Sequence, residues 1–403
     1  MMRVIMERSN ATCRPSMINE FSRRYSMSCE KLMNANHQWL ENTWIKLEDK
    51  LSHTAVRSRD KIPYSTKDGV HDDYTEGEKI TWWTNGFWGG LMWLMFSETK
   101  KECYEITAQI SEKKMDRAFG YVDYLHHDVG FMWHILSGAS YRLTDNRESR
   151  NRNLLAAQML MARYNIDGEF IVAWNGKECA GWSIIDTMMN LPMLYWAAKE
   201  TGDSRYEKVA KKHADMAMRD HVRPDGSVAH IVSHNVDKPE VIETIGGQGY
   251  DVGSSWSRGV SWAVYGFVLS YIHTGEERYL DTAKKTAHYF IANVALTNWL
   301  PEVDFRAPEK ERYFDSTAGA IAACGLIEIA KYVSENEKEF YLSAAFQLLK
   351  AMEKAWCNWD KDEDSILQNG TERYGEGPMP IIYGDYFYTE ATLKLKGNSF
   401  LPW

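Results

Sequence analysis

The chain has 403 residues, 44% apolar and 26% charged, a balance that fits a folded globular protein and excludes disordered and fibrous classes. A formal net charge of -9 excludes a broad phosphate-binding face, so nucleic acid is not expected as a partner. The most apolar stretch, Gly86 to Phe96, falls short of the roughly 18 residues a membrane helix needs, so no membrane span is expected.

In chain order, residues 1–16 read as an N-terminal extension, and Met1 to Arg14 lacks the continuous apolar segment of a secretory signal, so the expected location is the cytoplasm. Met17 to Lys50 predicts an outer helix. Six further segments are apolar and small nearly all round, as helices buried on both sides must be: Gly86 to Phe96, Gly130 to Leu143, Thr187 to Glu200, Gly259 to His273, Ala318 to Val333 and Gly384 to Lys396. Partners such as Arg205 to Arg219 are polar on one face. The turn Thr201-Gly202-Asp203-Ser204-Arg205-Tyr206 returns as Thr274-Gly275-Glu276-Glu277-Arg278-Tyr279, and both run on into Ala-Lys-Lys, with weaker echoes from Ser97, Thr144 and Ser334. Strand-like alternation is confined to short loops such as Val228 to Val232. The expectation is all-α: a single-domain (α/α)6 barrel over residues 17–403. Cys13, Cys29, Cys103, Cys179, Cys324 and Cys357 form no Cys-x-x-Cys pair, so reduced thiols are expected.

The segments entering the inner helices are long and aromatic, whereas the inner-to-outer turns are tight and polar, so the former mark the active face. They hold Trp82-Trp83-Thr84-Asn85-Gly86-Phe87-Trp88, His126-His127-Asp128, Trp182-Ser183-Ile184-Ile185-Asp186, Ser254-Ser255-Trp256-Ser257-Arg258, Asp315-Ser316-Thr317 and Tyr383-Gly384-Asp385. The 16 Trp suit sugar rings, although core packing accounts for most of them. For Asp315 and Asp385, helix N-capping and chemistry are evenly matched. Asp128 and Asp186 are the catalytic candidates, because a carboxyl after Ser-Ile-Ile is desolvated and its pKa rises, making Asp186 an acid at neutral pH. Arg258 reads either as a fork for a substrate carboxylate or as a buried structural ion pair. His230 and Gln248 are candidate donors to the same anion or to hydroxyls. No metal is expected, since the neighbours His126 and His127 should point apart, and no nucleotide fingerprint is present.

On these motifs the chain resembles the unsaturated glucuronyl hydrolases, glycoside hydrolase family 88, from about Trp82 to the C-terminus. The matching segments are His-Asp-x-Gly-Phe at His127 to Phe131, Ile-Ile-Asp-x-Met-Met-Asn at Ile184 to Asn190, Gly-Gln-Gly-Tyr at Gly247 to Tyr250, Ser-x-Trp-Ser-Arg-Gly at Ser254 to Gly259 and Tyr-Gly-Asp-Tyr at Tyr383 to Tyr386. The resemblance implies an (α/α)6 barrel, no cofactor, and hydration of the C4=C5 enol ether of a 4,5-unsaturated uronic acid left by polysaccharide lyases. It makes Asp186 the general acid/base and Asp128 the group that supports the developing charge. Trp83, Phe87, Trp256 and Trp262 would sandwich the ring, His127, His230, Gln248 and Arg258 would bind hydroxyls or the carboxylate, and Trp174 would line the aglycone side. Glu372 to Pro380 departs from sulfate-accepting members, which carry a Ser-rich stretch with a Lys there. The expected partner is an unsaturated uronyl oligosaccharide, and the expected state a monomer or weak homodimer. An unsaturated rhamnogalacturonyl hydrolase is the neighbouring alternative; a sugar 2-epimerase and a non-catalytic sugar-binding protein are the alternatives of other classes.

Overall fold

The computed structural model describes residues 15–308 and 312–403; most of the expected N-terminal extension lies outside the described residues. The inner helices are Gly86–Thr99, a run of Val129–Trp133, His134–Gly138 and Ala139–Thr144, then Leu191–Thr201, Ser257–Thr274, Ser316–Tyr332 and Ile382–Lys396. Each of the first five is followed by an outer helix: Glu102–Met115, Arg147–Ala162, Ser204–Asp220, Glu277–Ala295 and Glu335–Trp356. The sixth outer helix is the first in sequence, Pro15–Arg57. It closes the ring from both sides: Thr107 Oγ1 donates to Ala55 O, and Trp39 Nε1 donates to Glu353 on the last outer helix. The (α/α)6 barrel is therefore the architecture.

The two helix sets follow from their sequences. Ser257 to Ser270 and Ser316 to Ala330 are buried without a break, so neither helix has a polar face. Ser204–Asp220 buries only Tyr206, Ala210, His213, Ala214, Met216 and Ala217, the one-sided spacing of a helix facing water. The repeated turn is one physical device used twice. Gly202 at φ 74 and Gly275 at φ 70 end the inner helices in the left-handed region that glycine enters without strain, while the hydroxyls of Thr201 and Thr274 each accept a backbone N–H two residues on.

Two inner helices depart from the expected continuous runs. The second holds a π-turn over His134–Gly138, and Arg142 donates to the oxygens of Gly138 and His134, supplying partners to carbonyls there. The third begins at Leu191, not Thr187, because Pro192 is tolerated only in the first turn; Ile185–Met189 is instead a 3-10 turn. A three-stranded antiparallel sheet was also not expected in this extent. Its strands Trp182–Ile184, Ile231–His234 and Val241–Ile245 pair with Ile184 opposite Ile231 and Ile231 opposite Ile245. One continuous apolar cluster runs from Leu40 to Trp403, and no helix among the described residues is long and apolar enough to cross a membrane.

Candidate active site

Asp128 sits at the start of the second inner helix, yet its carboxylate caps no backbone N–H. Asp315 does cap, accepting from Thr317 N at 3.1 Å, and Asp385 gathers the amides of Ile366 and Leu367. Capping accounts for Asp315 and loop-fastening for Asp385; neither accounts for Asp128. Its Oδ1 accepts from Asn190 Nδ2 at 3.3 Å, and its Oδ2 lies 3.4 Å from His126 Nδ1 and 3.3 Å from His127 Nε2. Burial, then the charge of Asp186, pushes the Asp128 carboxyl well above the usual range. Burial likewise holds His126 down at about 4, with Arg163 adding to the effect, and holds His127 well below its ordinary value. Both imidazoles are therefore neutral at pH 7, and neither supplies a counter-charge.

Asp186 lies in the 3-10 turn ahead of Leu191–Thr201, 8% exposed, with no hydrogen-bond partner for Oδ1. His230 Nε2 stands 3.5 Å from that oxygen. The sheet makes this possible, because Ile185 N–H donates to His230 O at 3.1 Å directly after the Ile184–Ile231 pair. His230 Nδ1 accepts the backbone N–H of Gln248 at 2.9 Å, so the neutral ring carries its hydrogen on Nε2, aimed at Asp186. Trp256 backs the ring with centroids 4.2 Å apart.

Two further indoles keep part of their surface open. Trp174 is half-buried and meets His127 edge-on at 6.0 Å, and Trp83 is half-buried against Tyr383 at 5.1 Å and Phe131 at 5.4 Å. Phe87 and Trp262 were expected against the sugar, and here the structure corrects the sequence. Both are 0% exposed, beneath Phe131 and Tyr383, where they form the packed floor rather than the wall. Arg258 also differs from a substrate fork. It is buried against Asp315, its Nη1 donates to Thr371 O at 2.6 Å and its Nη2 to Glu372 O at 2.7 Å, and its plane lies 4.5 Å from Trp256. The structural ion pair is the observed alternative. Gln248 Nε2 donates to the same Glu372 O at 2.6 Å, which uses one of its two hydrogens on protein and leaves the second.

Several neighbours escaped the sequence reading. Asn190 closes the Ile-Ile-Asp-x-Met-Met-Asn motif, a signal that was present but unweighted. Thr187, 3.0 Å from His127 Nδ1, carried no signal of its own. Tyr64 donates to Glu372 across 308 positions, a pairing that spacing cannot reveal. His126 and His127 do not point apart: both lie ahead of the helix that starts at Val129, and both rings face the Asp128 carboxyl. Among the described residues this triplet alone gathers three candidate metal donors, within 4.8 Å of one another.

No protein-family model matches the chain. It is 36% identical over 331 residues to an unsaturated glucuronyl hydrolase of Bacillus sp. (strain GL1), covering 78% of this chain and 86% of that one. It is 32% identical over 326 residues to an unsaturated chondroitin disaccharide hydrolase of Streptococcus pyogenes serotype M1, covering 78% and 81%. The crystal structure of unsaturated glucuronyl hydrolase from Bacillus sp. GL1, described as responsible for the degradation of glycosaminoglycan, superposes with a TM-score of 0.80 at 33% identity, covering 87% and 96%. A mutant of the Streptococcus agalactiae enzyme in complex with dGlcA-GalNAc6S superposes at 0.76 with 26% identity, covering 90% and 93%.

Proposed function

The chain belongs to the unsaturated glucuronyl hydrolase family, and from that premise we propose that it hydrates the C4=C5 enol ether of a 4,5-unsaturated uronic acid at the non-reducing end of an oligosaccharide. The observation that carries the reading is Asp186 Oδ1, buried without a partner, faced by His230 Nε2 and electrostatically coupled to Asp128. Two such groups suit a reaction that gives a proton to carbon and takes one from water.

Asp186 protonates C4, and the positive charge that develops over C5 and the ring oxygen is met by the carboxylate left behind. Water adds to C5 as Asp186 takes up its proton, so the residue ends as it began. The C5 hemiketal opens to a ketone, which leaves C1 as a hemiacetal that expels the aglycone. One water is consumed. At rest burial favours the protonated form of Asp128. The substrate carboxylate then brings another negative charge into the same dry space, which favours loading Asp186 with a proton. Trp83 and Trp174 supply flat walls for the sugar, His230 steadies the working oxygen, and the packed floor of Phe87 and Trp262 keeps water out. Arg258 and Gln248 act on the ligand indirectly, by holding the Glu372 segment at the rim.

The test is the ultraviolet absorbance of an unsaturated uronyl disaccharide, which the protein should erase while Asp186→Asn, folded, leaves it intact. Persistence of the absorbance across a panel of unsaturated uronides with wild-type protein would end the reading.

A further inference from the structure

Phe131 lies in the first turn of the second inner helix, where a backbone N–H has no carbonyl four residues back within the helix. It donates instead to Asn190 Oδ1, at 2.9 Å. That bond settles which way the amide faces, since only its oxygen accepts. Nδ2 is thereby turned the other way, where it meets Asp128 Oδ1 and the backbone oxygen of Asp186, each at 3.3 Å. The packing leaves the amide no second pose: Asn190 is fully buried, and a Cβ on Gly130 would come within 2.5 Å of Oδ1. One side chain therefore joins the helix start that carries Asp128 to the 3-10 turn that carries Asp186.

The far oxygen of Asp128 has different company. Oδ2 faces His126 Nδ1 and His127 Nε2, two buried nitrogens with no other partner. His127 Nδ1 lies 3.0 Å from Thr187 Oγ1. A hydrogen on Oδ2 completes this row: it gives His127 Nε2 something to accept and lets His127 Nδ1–H donate to Thr187. A hydrogen on Oδ1 would instead collide with the Asn190 donor.

We propose that Asn190 is the positioning residue of the carboxyl pair: its fixed donation to Asp128 Oδ1 confines the acidic hydrogen of Asp128 to Oδ2, and its grip on the Asp186 carbonyl sets how the two acids lie. The proposal rests on Asp128 and Asp186 being the working pair. The charged and titratable groups around Asp128 are Asp186, His126, His127 and Arg163.

Asn190→Asp separates positioning from mere packing. It keeps an oxygen for Phe131 N–H but replaces the donor with a second oxygen, which can donate to Asp128 only when protonated. The expected kcat/KM on an unsaturated disaccharide is about 100-fold below wild type at pH 8, recovering about tenfold relative to wild type towards pH 5, with KM nearly unchanged. Asn190→Ala loses activity without that recovery. Carboxyl carbon NMR, with the Asp128 signal assigned by Asp128→Asn, should show the midpoint of Asp128 rising by about one pH unit in Asn190→Ala. This arm needs no substrate, so it decides the proposal even if the wild-type protein hydrolyses nothing; if Asn190→Ala does not fold, Asn190→Asp carries both readouts. An Asn190→Asp profile parallel to wild type at every pH, or an unmoved Asp128 midpoint, overturns it.

Discussion

His230 Nε2 stands 3.5 Å from Asp186 Oδ1 although 44 positions separate the two residues, because adjacent strands bring them together and the Gln248 amide dictates which ring nitrogen holds the hydrogen. His230→Ala removes that donor while leaving the sheet's backbone bonds in place. We expect kcat/KM to fall by about 100-fold with the melting temperature little changed. Steady-state kinetics beside a thermal melt checks this, and activity within a few-fold of wild type would remove His230 from the reaction.

The raised Asp128 carboxyl has a definite sign in stability. Its folded value exceeds its unfolded one, so the protonated form favours the native state: the stabilisation is complete below about pH 4 and is lost as pH climbs through the folded value. Asp128→Asn, which cannot ionise, should match wild type near pH 4 and become progressively more stable than wild type at neutral and alkaline pH, while losing activity. Melting temperatures across that range test it; a gap of the opposite slope would contradict the burial argument.

Ligand binding should take up protons. Both histidines beside Asp128 are neutral, and Arg258 is already paired with Asp315, so an incoming uronate meets carboxyls rather than a free cation. A saturated uronide, which has no double bond to hydrate, should bind at pH 7 with uptake of close to one proton, measured by calorimetry in buffers of different ionisation enthalpy. Asp186→Asn should abolish most of the uptake. Equal heats in all buffers for wild type would refute the loading step.

Arg258→Lys discriminates between a substrate fork and an internal tie. A lysine keeps the charge but cannot reach Asp315, Thr371 O and Glu372 O together. Losing the fork strips buried acceptors of their donor, so the melting temperature should fall sharply. An unchanged melt with a raised KM alone would restore Arg258 to the ligand.

Trp174 meets His127 at the edge of the site without sealing the floor. Trp174→Ala should therefore raise KM several-fold and leave kcat within about twofold, the signature of binding shared by ground and transition states. A large kcat loss at constant KM would place the indole at the reacting carbons.

The barrel was legible because a helix buried on both sides must be apolar all round, and because Gly202 and Gly275 repeat one left-handed turn. What stayed hidden depended on partners far along the chain. Ile231 opposite Ile184 sets His230 beside Asp186, and no local pattern announces that register. Trp83 and Trp262 look alike in sequence; only packing shows that one lines a wall and the other supports the floor. Arg258 beside a tryptophan reads equally as a fork for a ligand or as half of an ion pair until Asp315, 57 positions away, is seen to hold it. Pro192 was a visible signal for the late helix start that leaves Asp186 in a tighter turn.

The arrangement of the inner helices has an electrical consequence. All six start on the same rim, and each helix start carries a partial positive charge of about half a unit from its aligned peptide groups. In a protein with a net charge of -9, that backbone charge offsets part of the repulsion an acidic sugar meets from Asp128, Asp315 and Asp385 at the same helix starts. Because that offset is built into the backbone, side-chain substitutions around the rim can alter which sugars are accepted while it endures.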